Sequence, residues 1–212
     1  MNESDSARAQ WRVLILAFDG VEALDFAGPF EVFSTATRMQ QRIDPAAPPL
    51  FEVLSVADVP DTRHPVQARA GLRLLVDHAL ADAPPCDVLV VPGGVVDAPL
   101  ASAITRRWIA KQSATAQITA SVCTGAFLLA ASGVVVNEAV TTHWEDTAEL
   151  RTAYPALQVL EDRRWVDLGR VVTSAGISAG IDMSLHLVER LGGRALAERT
   201  ARQMDFTWTH NA

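Results

Sequence analysis

The sequence predicts a three-layer α/β sandwich, a mostly parallel central sheet with helices on both faces. Three observations predict it. Short apolar runs at residues 11–18, 50–57 and 87–91 read as strands buried on both faces. Stretches with apolar residues at helical spacing alternate with them. The mostly apolar run 117–122 passes directly into a helix-compatible run, 126–131, and leaves Cys123 at the turn between them.

In chain order, residues 11–18 (WRVLILAF) are apolar except for Arg12 and read as a central parallel strand closed by an Asp19-Gly20 turn. Pro29 suits the first turn of a helix, where its missing N–H has no partner to lose. Phe30, Phe33 and Thr37 follow at helical spacing, and the helix should end before Pro45, with 42–49 as loop. Residues 50–57 are the second strand. Runs 66–70 and 72–76, either side of Gly71, read as a small hairpin or antiparallel extension, and 77–85 as a linker or short turn. Strand 87–91 ends in the loop Pro92-Gly93-Gly94. Residues 99–111 fit one helix, with Pro99 in its first turn and Ile104, Trp108 and Ile109 on one side.

The helix after Cys123 should end near Gly133. Residues 139–144 are a short strand or loop, and 147–154 a short helix stopped by Pro155. Short strands are expected at 158–160, 164–167 and 171–174, the last two joined by a Leu168-Gly169 turn. After a Gly/Ser loop at 176–180, Ile181, Leu185, Val188 and Leu191 mark a long amphipathic helix broken by Gly192-Gly193. Residues 195–204 continue as a final helix, and the tail 205–212 carries Phe206 and Trp208.

A length of 212 residues suits one domain, 1–212, with the polar stretch 1–10 as a flexible tail, and 49% hydrophobic residues supply a core. The formal charge of −7 and the lack of a basic run argue against nucleic acid. No apolar run has membrane-spanning length and the first ten residues lack a signal core, so no membrane partner and a reducing, cytoplasmic setting are expected. Two cysteines make no disulfide framework, Cys86 reads as inert, and the five scattered histidines show no metal spacing.

Cys123 carries the chemistry. A cysteine between a buried strand and a helix has its sulfur near free helix N–H groups, whose field favours the thiolate. Gly125 lets the helix approach closely behind the turn. This is the pattern of a nucleophile elbow with Cys in place of Ser; a small buried hydrophobe is the alternative. The Gly93-Gly94 loop should end on the same sheet edge, with N–H groups facing charge that develops beside Cys123. Asp25, between a strand end and a helix start, reads either as a helix cap or as a carboxylate at that edge. His143 reads either as a base for Cys123 or as a packing histidine beside Trp144.

The segments Leu24-Asp25-Phe26-Ala27-Gly28-Pro29, Pro92-Gly93-Gly94, Ser121-Val122-Cys123-Thr124-Gly125, Thr141-Thr142-His143-Trp144 and Ile177-Ser178-Ala179-Gly180-Ile181-Asp182 resemble the ThiJ/PfpI superfamily of class I glutamine amidotransferase-like proteins over roughly residues 13–191. The resemblance implies a flavodoxin-like sheet and, in its isonitrile hydratase branch, conversion of R–N≡C to an N-substituted formamide through a Cys thioimidate. It implies Cys123 as nucleophile, Asp25 as the acidic partner, and Gly94 and Thr124 as the backbone N–H pair at the reacting centre. His143 and Asp182 match positions that support the site. Thr124 stands where protease-like members have His, which speaks against peptidase activity. No metal or organic cofactor is implied, and the partners implied are a small isonitrile and a second copy of the chain in a homodimer. The other readings are a ligand-sensing domain like that of AraC-type regulators, whose helix-turn-helix would have no room before residue 212, and a glyoxalase- or chaperone-like member.

Overall fold

A computed structural model of the chain describes residues 10–210. The expected tail, 1–10, lies outside the described residues except for Gln10. The elements are β1 (Trp11–Ala17), α1 (Ala23–Ile43), β2 (Phe51–Ala57), β3 (Val66–Gln67), β4 (Arg73–Leu74), β5 (His78–Ala79), β6 (Val88–Val91), α2 (Asp97–Ala101), α3 (Ala103–Thr115), β7 (Ile118–Val122), α4 (Gly125–Ala131), β8 (Ala139–Val140), α5 (Thr147–Ala153), β9 (Gln158–Val159), β10 (Trp165–Asp167), β11 (Val171–Ser174), α6 (Ala179–Gly192) and α7 (Arg194–Gln203).

The main sheet has the order β10-β11-β7-β6-β1-β2-β5. Every pair is parallel except β10 with β11. Val13 to Ala17 of β1 and all of β6 are fully buried, as apolar runs covered on both faces must be. Helices flank the sheet in two groups. One group is α1, α6 and α7; the other is α2, α3 and α4. Within α1, Val32, Phe33, Ala36 and Met39 are buried at spacings of one, three and three, and turn one stripe inward. Thr37 ties α1 to β2, because its hydroxyl donates to the Phe51 carbonyl (3.2 Å) and accepts from the Phe51 N–H (3.0 Å). The hairpin expected around Gly71 is the antiparallel pair β3–β4.

Several boundaries differ from the sequence reading. Helix α1 starts at Ala23, so Pro29 lies inside it rather than in its first turn. The start is set by a distant loop, since the Glu22 N–H donates to the Gly93 carbonyl (2.9 Å). Pro29 then deprives the Asp25 carbonyl of its helical donor four residues on. The helix also runs through Arg42 and Ile43, into the expected loop.

The expected linker 77–85 contains β5, recruited as an edge strand beside β2. The single helix expected at 99–111 is two, α2 and α3. Ser102 caps α3 by accepting the Thr105 N–H (3.2 Å), which turns Ile104 outward and Thr105 inward. Helix α6 begins at Ala179, so the loop before it is shorter than expected.

Candidate active site

The carboxyl ends of β1, β6, β7 and β11 lie side by side, and the loops that follow them converge there. Cys123 stands one residue beyond β7 and two before α4, with φ at +55°. Such a conformation costs a non-glycine residue of order 1–3 kcal/mol and persists only where neighbours over-determine it. Here they do. The Cys123 N–H donates to the Ser174 carbonyl (3.1 Å) and the Ala175 carbonyl (3.3 Å). The Thr142 hydroxyl donates to the Cys123 carbonyl (2.9 Å).

Gly125 permits the turn. A methyl group there would overlap the Val91 carbonyl oxygen at the end of β6. Gly125→Ala is therefore expected to lose about 1–3 kcal/mol of stability, since backbone cannot yield as a side chain can. Denaturant midpoints of parent and variant check this, and equal midpoints would show that the packing behind Cys123 is not tight.

Asp25 is the third residue of α1, and Glu22, not Asp25, is the N-cap residue. The Asp25 side chain is fully buried, and Oδ2 accepts the Gly93 N–H (3.1 Å), while Oδ1 has no hydrogen-bond partner among the described residues. The cap alternative thus gives way to a carboxyl held across the sheet edge by a residue of the glycine loop. Burial pushes this carboxyl up from 3.8 to about 7. The Gly93 N–H pulls it down, Glu22 pushes it up, and the Cys123 thiol beside it pulls it down.

The Cys123 thiol is itself pushed up to about 12, first by burial, then by Asp25. The Thr124 N–H pulls it down, Asp146 pushes it up, and the Ile177 N–H pulls it down. Against the expected pull of the helix field toward a thiolate stand burial and two carboxylates, which push the thiol up more than the two N–H donors pull it down. Cys86 is likewise pushed up to about 12, chiefly by burial.

The expected N–H pair divides. The Gly94 N–H donates to the Thr124 hydroxyl (2.8 Å), which in turn donates to the Gly94 carbonyl (3.0 Å). The backbone donors at the sulfur are Thr124 and Ile177. Ile177, at φ +41°, was marked in the sequence as a member of the loop before a helix and of the resembling segment 177–182, with no role given to it. Asp146 and Thr142 were likewise not singled out.

His143 lies across the site. Its Nδ1 accepts the Glu145 N–H (3.4 Å) and is 3.4 Å from Asp146, and its ring meets Trp144 at a tilt of 38°, centroids 5.6 Å apart. Among the described residues its ring makes no hydrogen bond to Cys123. Gly176 makes room for it, since a methyl there would overlap the imidazole. Cys123, Thr124, Gly94, His143 and Ile177 all line one cavity of about 440 Å³.

Asp182 stands apart from this cavity. Its fully buried carboxylate pairs with Arg164 and accepts the Thr209 N–H (2.7 Å), while its carbonyl accepts the Trp208 indole (3.2 Å). It anchors the C-terminal segment to α6. Among the described residues, no three His, Cys, Asp or Glu side chains group so as to hold a metal ion, and no helix is long and apolar enough to cross a membrane.

The model of the DJ-1/PfpI family matches residues 11–190. The chain is 32% identical over 192 residues to an isonitrile hydratase of Pseudomonas putida, covering 90% of this chain and 76% of that protein. It is also 32% identical over 135 residues to the HTH-type transcriptional regulator GbdR of Pseudomonas aeruginosa, covering 62% of this chain and 36% of the regulator. Among solved structures, a ThiJ/PfpI family protein from Pseudomonas syringae superposes with a TM-score of 0.80 at 24% identity, over 99% of this chain and 83% of that one. Drosophila melanogaster DJ-1beta superposes with 0.77 at 19% identity, over 94% and 100%. The relatives thus span a hydratase, a regulator and DJ-1 proteins on one α/β fold.

Proposed function

The chain belongs to the DJ-1/PfpI family, and on that premise we propose that it is an isonitrile hydratase that converts R–N≡C and water to R–NH–CHO. The observation that carries the reading is the Asp25–Cys123 pair. A fully buried carboxyl brought to about 7 lies beside the only cysteine at the head of the cavity. An acid poised near the working pH both accepts and returns a proton, where an ordinary carboxylate would only accept weakly. The likeness to the Pseudomonas putida hydratase supports the same chemistry. Thr124 after the cysteine argues against a Cys-His hydrolase.

The steps are written on this pair. Cys123 at its elbow gives its thiol proton to the Asp25 carboxylate as Sγ bonds to the terminal carbon. Asp25 returns that proton to the same carbon, leaving the thioimidate R–N=CH–S–Cys123. Asp25 then takes a proton from water as its oxygen bonds to carbon, and the nitrogen receives that proton. The C–S bond breaks as the hydroxyl proton passes back to sulfur, which releases the formamide and the thiol. The N–H groups of Thr124 and Ile177 face the sulfur throughout and offset charge on it as it arrives and departs. In this scheme the raised thiol is not an obstacle, because it ionises only as its proton reaches Asp25.

The test is formamide production from a small alkyl isonitrile by the purified protein, followed by infrared loss of the isonitrile stretch. Saturable binding with no formamide would instead support a ligand-sensing role, a reading favoured by the match to GbdR. The protein is further expected to be a homodimer, which sedimentation at micromolar concentration would refute by finding only a 22.8 kDa species.

A further inference from the structure

We infer that the cavity over Cys123 selects substrates bearing a positive charge, which on the hydratase reading means an isonitrile whose substituent carries an ammonium group. The charge selection rests on the cavity; only the identity of the reacting group rests on that reading. Its lining holds five carboxylates, Glu22, Asp97, Glu145, Asp146 and Glu149, against one guanidinium, Arg69. Arg69 is already engaged, 3.5 Å from Glu22. The His143 Nδ1, which accepts the Glu145 N–H, lies 3.4 Å from Asp146 and 3.9 Å from the Glu145 carboxylate. Asp97 and Glu149 have no cationic partner among the described residues, and the short helices whose first turns they occupy offset only part of their charge.

Behind the sulfur, the fully buried Asp25 keeps one oxygen, Oδ1, with no hydrogen-bond partner among the described residues. Brought to about 7, it carries only part of a charge at neutral pH, so negative potential enters the cavity chiefly from the walls. A concave site lined by one sign of charge focuses its field and enriches the opposite charge. Between these walls, Val95, Val96, Leu100 and Phe127 offer apolar surface for an alkyl link between the cation and the reacting carbon. Asp25 and Asp146 both push the Cys123 thiol up. A cation bound opposite them draws it back down, so the charge that recruits the substrate also eases ionisation of its nucleophile. An anionic isonitrile meets the reverse on both counts.

The test compares (trimethylammonio)ethyl isonitrile with tert-butylethyl isonitrile, which has the same shape with carbon in place of the charged nitrogen. The cation is expected to have at least ~10-fold higher kcat/KM at low ionic strength. The preference should shrink as salt screens the walls, and the ratio should fall toward one in an Asp97→Asn, Glu149→Gln double variant. A ratio of one or less, indifferent to salt, overturns the charge selection and leaves the hydratase reading standing. If neither isonitrile is hydrated, it is the hydratase reading that falls. Calorimetric binding of the two corresponding formamides then decides the charge selection: tighter binding of the cationic formamide supports it, and equal binding, or none, overturns it.

Discussion

Cys123→Ala is expected to abolish isonitrile hydration and to leave the fold in place. The substitution keeps Cβ, keeps the strain of a side chain at φ +55°, and keeps the backbone bonds to Ser174, Ala175 and Thr142 that hold the turn. What it removes is one sulfur at the edge of an open cavity, a loss of ~1 kcal/mol by analogy with small deletions elsewhere in cores. It also removes the only atom able to bond the isonitrile carbon in the proposed sequence, so no covalent adduct should appear by intact-mass measurement. Formamide assays beside a melting curve check both halves. A folded Cys123→Ala protein that still hydrates would remove the thioimidate route altogether.

Asp25→Asn should separate chemistry from stability more sharply. The amide can still accept the Gly93 N–H and fill the same space, but it cannot take and return a proton near neutrality. Turnover should fall at least ~10²-fold. Stability should move the other way. The folded carboxyl is raised from 3.8 to about 7. Its contribution to stability is therefore fully present below the unfolded value and lost as pH rises through about 7, amounting to ~4 kcal/mol at most. Asn carries no such term. The variant should gain on the parent between pH ~4 and ~8. Removing the carboxylate also removes the second-largest influence holding the Cys123 thiol up, so iodoacetamide should label Cys123 faster in the variant at fixed pH. More stable at high pH, more readily alkylated and far less active is a combination that misfolding cannot imitate. Parent-like turnover would exclude Asp25 as the proton carrier.

Much of this was written in local sequence. The runs at β1, β2 and β6 could be placed because a strand buried on both faces has no choice but to be apolar throughout. Cys123 could be placed at a strand-to-helix turn because β7 ends at the residue before it and α4 begins two residues after it, and Gly125 because close approach excludes a side chain. Asp25, Gly94, Thr124 and His143 were marked as residues of interest, but by resemblance and position rather than by contact.

Where the reading failed locally, a distant partner had intervened. Glu22 and Gly93 set the start of α1, an edge of β2 recruited β5, and the Ser102 cap divided α2 from α3. The chemistry of the site belongs to the tertiary structure for the same reason. Asp25 and Gly93 are 68 residues apart. Thr142 and Cys123 are 19 apart. The Ile177 N–H reaches the sulfur from the loop after β11. A proton's affinity for a carboxyl or a thiol depends on burial and on charges a few ångströms away. The sequence by itself determined which residues have acid, thiol and turn chemistry to offer. Only the packing of four loops on one sheet edge decided that burial pushes the Asp25 carboxyl up to about 7 and the Cys123 thiol up to about 12, and that Asp182 ties down the C-terminal segment away from the cavity.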